Sequence, residues 1–224
     1  GDSDEERLFA YLQDGRAVEA RGLLLSLYLA GQSVADICDG PLRRAMARLG
    51  ELWQHGEAGI LVEHRATDIC VQAINQLRCT MEPPADAPTA VGGAPAGDPY
   101  LLPSLAAATT LVAEGLRAVN LGPDTPTTVL QRAAVHHQAA CVWLSVSSVS
   151  DASRLSDEIG ALADRLAPGG TLLLLGGRGV SMLPAVPTAP HVHVCEMMLD
   201  LARVTRRLVC TGAPESTSAA LKAH

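Results

Sequence analysis

Trp53, followed ten residues later by Glu63-His64, combines the residue types that hold a flat ligand with a polar edge. An indole offers a broad apolar plane. A carboxylate accepts hydrogen bonds, and an imidazole donates or accepts beside it. The trio lies in a stretch that otherwise reads as helix and core. The residues alone leave two readings open. One is a ligand-facing trio. The other is a buried Trp packing between helices, with Glu63 and His64 on a solvated face.

Further positions of this kind lie at the ends of short apolar runs in the second half. They are Gly97 and Asp98, then Leu121-Gly-Pro-Asp-Thr125-Pro126, then Ser145-Val146-Ser147-Ser148, then Gly176-Gly177-Arg178-Gly179. Small and hydroxyl residues there let a ligand approach backbone N–H groups. One such loop is common in any α/β protein. Four in register point to a long, slot-like site.

The elements that must position these residues follow from periodicity. From about residue 4 to 80 the pattern is helical, with Leu8, Tyr11 and Leu12 in one stripe and Leu23, Leu24, Leu27, Tyr28 and Ile37 in others. Glycines 15, 31, 40 and 56 punctuate it. Helices are expected near 4–13, 16–30, 33–55 and 60–79, the third bent at Gly40-Pro41, which makes a four-helix bundle. Residues 82–99, rich in Pro, Ala and Gly, read as a linker entering a first strand and its loop. Strands are expected near 88–92, 118–121, 140–146, 171–175 and 191–195. Helices are expected at 101–115, 127–137, 152–166 and 196–209. The alternation predicts a parallel sheet covered on both faces, with ligands beyond the carboxyl ends of its strands. The fold class is therefore α plus α/β: a four-helix bundle cap (1–81), then a Rossmann-like, flavodoxin-like sheet domain (88–211). Residues 212–224 read as a flexible tail.

Composition bounds the function. The 224 residues carry a net charge of −7, so nothing suggests a surface that tracks nucleic-acid phosphates. Hydrophobic residues make up 48% and aromatics 3%, so the core must be Leu, Val and Ala. Cys38, Cys70, Cys79, Cys141, Cys195 and Cys210 form no Cys-x-x-Cys pair and read as reduced, mostly buried thiols of a cytoplasmic protein. No apolar run reaches membrane-spanning length, and no membrane role is expected. Gly1 is compatible with a cleavage scar and leaves room for a further N-terminal domain. Arg43, Arg44 and Arg48 read as a solvated or subunit-contact face. Arg203, Arg206 and Arg207 read as complements to the dipole at the end of the last helix. No catalytic triad, phosphate-binding loop or zinc-spaced cluster is evident, and no catalytic turnover is expected.

Taken together, the bundle, the sheet half and the four loops resemble a cobalamin-binding module, and more narrowly the light-sensing module of CarH/LitR-type transcription regulators. The pattern in that family is Asp-x-His-x-x-Gly, about forty residues, Ser-x-Leu, about twenty-eight more, then Gly-Gly. Asp98-Pro99-Tyr100-Leu101-Leu102-Pro103, Ser145-Val146-Ser147 and Gly176-Gly177 occupy these places, and Trp53, Glu63 and His64 match the cap motif. The resemblance implies that Trp53 packs over the upper face of a corrin ring and that Glu63 and His64 hold its 5′-deoxyadenosyl group. It further implies that Asp98, Tyr100, Thr125, Ser145, Ser147, Gly176 and Gly177 line the lower side and the slot for the nucleotide tail.

The sequence departs from that pattern at the lower cobalt ligand. Tyr100 stands where the family has His, and Pro103 where it has Gly. A neutral phenol, with an ordinary pKa near 10, is a poor cobalt ligand at pH 7. Gln54, with His55 next, also replaces the His that often follows the Trp. Adenosylcobalamin, or another cobalamin, held without a protein lower ligand is the first expectation. The same cleft holding heme or a bilin is an alternative, with His136, His137, His191, His193 and the cysteines as available ligands. A ligand-free protein-interaction domain is a further one, and a corrinoid methyl carrier the last. The resemblance implies a homo-oligomer that reaches DNA only through another domain or a partner.

Overall fold

The computed structural model describes residues 3–52 and 57–211; Trp53, Gln54, His55 and the tail 212–224 lie outside the described residues. The first half contains α1 (Asp4–Asp14), α2 (Ala17–Leu29), α3 (Val34–Ile37), a π-type turn (Cys38–Leu42), α4 (Arg43–Leu52) and α5 (Glu57–Cys79). Local chemistry sets their ends. Ser3 and Glu6 form a reciprocal capping box on α1, and the Ser33 hydroxyl accepts from Asp36 N–H at 3.0 Å. The expected bend is present: Gly40, at φ −88° and ψ −106°, leaves helical geometry just before Pro41.

The second half runs β1 (Thr89–Gly93), α6 (Leu101–Ala113), β2 (Arg117–Asn120), α7 (Thr127–His136), β3 (Cys141–Ser145), α8 (Ala152–Leu166), β4 (Leu172–Gly176), β5 (Val192–Cys195) and α9 (Met198–Thr211). The five strands are parallel in the order β2-β1-β3-β4-β5. This is the flavodoxin-like winding, whose direction reverses between β1 and β3. Leu130, Ile159 and Leu162 cover one face, while Leu111, Leu116 and Leu201 cover the other around the buried Trp143. Trp143 lies across Gly92, where an added Cβ would stand 2.0 Å from the indole. Its Nε1 donates to Ser104 Oγ at 3.3 Å, and Ser104 donates to Asn120 at 2.8 Å.

The bundle packs against the side of the sheet domain, on the outer faces of α6 and α9. Leu105 and Ala106 of α6 are buried in the same core as Leu8, Leu24, Ile37 and Ile74, with Leu101, Leu102 and Met198 against it. Two polar links lock the arrangement. The Asp39 carboxylate accepts from Met198 N–H and Leu199 N–H, both at 2.9 Å, and so caps α9 from the other half of the chain. Arg78, at the end of α5, donates to the Ala118 carbonyl of β2 at 2.5 Å.

The two arginine clusters differ in outcome, and the reading of the second needs correction. Arg43, Arg44 and Arg48 are exposed, as expected of a solvated face, with Arg44 3.5 Å from Glu5 and Arg48 4.0 Å over the Phe9 ring. The last helix runs on to Thr211, so Arg203, Arg206 and Arg207 stand before its final turn. Arg206 forms a two-pronged pair with Glu114 at 2.5 and 2.9 Å, and Arg203 lies 3.4 Å from Asp200.

Candidate functional site

In sheets wound this way ligands bind beyond the carboxyl ends of the strands where the winding reverses, here between β1 and β3. Asp98, in the loop after β1, is fully buried at that point. Its Oδ2 accepts from Ser147 N–H at 2.6 Å and Ser148 N–H at 3.0 Å, and its Oδ1 accepts from Tyr100 N–H at 3.1 Å. A buried carboxylate needs such donors. Asp98 therefore ties the loop after β1 to the loop after β3, and its acceptors are spent on backbone.

The remaining loops close around this tie. Thr125, nearly buried, donates its N–H to Ala94 O at 2.9 Å, and the Asp124 carboxylate accepts from Gly97 N–H at 2.7 Å. Ser145 is the buried last residue of β3 and pairs in register with Gly176, which in turn faces Cys195. Val146 N–H donates to Gly176 O at 2.7 Å, and Gly179 N–H to Val146 O at 2.9 Å. Gly177 has φ +98° and ψ 156°, a region only glycine occupies readily, and an added Cβ would stand 2.2 Å from Val146 O. The small residues of the third and fourth loops thus serve close approach of one loop to another.

Tyr100 occupies the cap position of α6 with its ring 40% exposed. The exposed Arg178 side chain lies beside it: Nε donates to Ser147 O at 3.1 Å, and Cζ is 5.7 Å from the Tyr100 ring centroid. Sequence reasoning passed over Arg178 as part of a glycine loop. A signal was available, since it is the sole basic residue in stretches 93–100, 121–126, 145–151 and 176–183.

Glu63 and His64 lie on α5, half-buried and exposed respectively. The end of α5 meets β2 through Arg78, near the amino edge of the sheet. Fourteen residues of helix from Arg78 to His64 span about 21 Å, slightly more than the length of α6. At that level of α5, the neighbouring Arg65 donates to Gln13 O at 2.7 Å, beside the turn between α1 and α2. The same upper part of α5 exposes Ile60 and Leu61, while Tyr100, Leu121 and Met182 are exposed apolar groups along the carboxyl edge. Seven of the ten candidate site residues therefore converge in the strand-end loops. Glu63 and His64 lie apart from them in sequence, on α5, and Trp53 lies outside the described residues.

The alternative metal ligands are placed elsewhere. His136 ends α7 and, with the neighbouring His137, stands at the amino edge. His191 precedes β5 at the same edge and bonds Ala163 O through Nε2 at 3.0 Å. Cys195 is near the carboxyl edge, but burial, helped by Asp200, pushes its thiol up to about 11 and keeps it neutral at pH 7. Among the described residues, no group of three or more His, Cys, Asp or Glu side chains is placed to hold a metal ion. No helix of the described residues is long and apolar enough to cross a membrane.

Comparison with known proteins places this geometry. Residues 4–78 match the family model described as B12 binding domain. A search of curated proteins returns no match. Among solved structures, the monomethylamine corrinoid protein of Methanosarcina barkeri is similar at a TM-score of 0.65 and 19% identity, over 90% of this chain and 96% of that one. A cobalamin-binding protein from Desulfitobacterium hafniense aligns at a TM-score of 0.42 and 16% identity, over 92% of this chain and 98% of that one. The chain thus has the fold of a corrinoid protein, a helical half matching the B12 binding domain set against a five-stranded parallel sheet.

Proposed function

We propose that this chain binds a cobalamin, with adenosylcobalamin as the preferred form, at the carboxyl edge of the sheet and beneath the upper part of α5. The observation that carries the reading is the group of exposed apolar side chains at the carboxyl edge, Tyr100, Leu121 and Met182, together with Ile60 and Leu61 exposed on α5. Exposed apolar groups of this kind fit a broad and mainly apolar ring with polar groups at its rim. The match of residues 4–78 to the B12 binding domain family supports it. Bound there, the corrin supplies a light-labile cobalt–carbon bond. The protein's residues would bind and orient it: Trp53, Glu63 and His64 would hold the adenosyl group, and Tyr100, a neutral phenol, would line the site without serving as a metal ligand.

The proposed role is sensory. A ligand with different affinity for two assembly states of a homo-oligomer shifts the balance between them. A DNA-binding module, on the same polypeptide or on a partner, reads that change as transcription control.

The test is direct. The purified chain is incubated separately with adenosylcobalamin, hemin and biliverdin, desalted, and its absorbance recorded before and after illumination. Retained corrin bands that change on illumination are expected. A retained Soret or bilin band with no corrin band would overturn the reading. Tyr100→His should shift the cobalt spectrum of the bound form. Trp53→Ala should weaken retention of adenosylcobalamin more than that of a cobalamin lacking the adenosyl group.

A further inference from the structure

Arg178 has no evident task in the fold beyond one backbone contact. Its Nε holds Ser147 O and its guanidinium flanks the Tyr100 ring, while Nη1 and Nη2 have no hydrogen-bond partner among the described residues. It is also absent from the ion pairs seen among those residues. The acidic groups of the neighbouring loops are engaged elsewhere. Asp98 accepts three backbone N–H groups, Asp124 accepts from Gly97, and Asp151 caps α8 through Arg154 N–H at 3.0 Å. A fixed cation without a counter-charge, at the one edge where the loops converge, is a site for an anionic group of a ligand.

Resting on the cobalamin reading above, we propose that Arg178 takes the phosphodiester of the cobalamin nucleotide loop and so selects complete cobalamin over corrinoids that lack it. The chemistry narrows the choice. The amide side chains around a corrin are neutral, and the phosphodiester is the anionic group on the periphery of the molecule. The guanidinium fork donates two parallel hydrogen bonds to phosphate oxygens, which a lysine ammonium does not reproduce. The surroundings also explain why the nucleotide stays near the surface. The loops after β3 and β4 are knitted to each other and to Asp98 by backbone hydrogen bonds, and an added atom at Gly177 already collides with Val146. A nucleotide lying along Tyr100 and Arg178 avoids opening that knot.

The experiment compares three ligands: adenosylcobalamin, adenosylcobinamide phosphate and adenosylcobinamide. Their retention and dissociation constants are measured by absorbance on the full chain and on Arg178→Gln and Arg178→Lys. The unaltered chain should bind the two phosphate-bearing ligands about tenfold more tightly than adenosylcobinamide. Arg178→Gln should lose that preference, while Arg178→Lys keeps part of it and shows a steeper loss with salt. The preference is a ratio between ligands on one protein, so a general loosening of the loop does not mimic the result. Equal binding of all three ligands, or a preference that survives Arg178→Gln, would overturn the role of Arg178 and leave cobalamin binding intact. If the unaltered chain retains none of the three, the cobalamin reading falls and the phosphate role falls with it.

Discussion

Asp98 makes three hydrogen bonds that no neutral side chain of its size reproduces. Asp98→Ala should remove about 3–5 kcal/mol of stability, because it leaves three inward-facing N–H groups without an acceptor. Asp98→Asn should cost less, about 2 kcal/mol, since one acceptor survives and the other becomes a donor opposed to N–H. Urea unfolding midpoints with unchanged slopes would check both. The reverse case is Thr110, whose Oγ1 is buried without a partner among the described residues. Thr110→Val replaces that hydroxyl by a methyl of nearly the same shape. It should be neutral or stabilise by up to about 1 kcal/mol on the same urea scale. The sequence marks Asp98 as special but assigns it to the ligand, because its partners are 49 and 50 residues away and are backbone groups, which carry no signature of their own.

At the scale of elements, backbone approach governs the loops. Gly177→Ala should cost more than about 3 kcal/mol, since the side chain meets both a forbidden backbone region and the Val146 carbonyl. Gly160→Ala is the matched contrast. Gly160 lies inside α8 with nothing within 4 Å of an added Cβ, so alanine there should add about 0.5–1 kcal/mol. Thermal unfolding of the two variants should therefore move in opposite directions. Asp39→Ala should cost about 1–2 kcal/mol through the lost cap on α9. Strands and helices were legible in the sequence to within two or three residues, because short continuous apolar runs mark strands buried on both faces while period 3.6 marks the helices between them. The side-on seat of the bundle was not. The stripe of α6 that faces it, Leu101, Leu102, Leu105 and Ala106, lies in a helix buried on nearly every side, which leaves no polar face to orient it.

For the whole molecule, the buried thiols set an alkaline limit. Burial pushes Cys38, Cys70 and Cys141 up to about 12 and Cys195 to about 11. Below about pH 9 these thiols are protonated in both folded and unfolded chains, and their contribution to stability is fully present. Between about pH 9 and pH 11–12 the unfolded chain releases protons that the folded chain keeps. Stability then falls with rising pH, by up to about 1.4 kcal/mol per pH unit for each such thiol. Denaturant titrations at pH 8, 9 and 10 should show a steepening loss, and a flat profile would contradict the burial of these groups.

The shared face of α6 has a consequence for how such a protein can be built from parts. Leu105 and Ala106 belong to the sheet domain by connectivity and to the bundle by packing. Cutting the chain at the proline-rich stretch before β1 would leave the second fragment with an uncovered leucine stripe and α9 without its cap. Such a chain transplanted into another protein must therefore carry both halves, and exchange of one half between relatives succeeds only when the α6 face is exchanged with it.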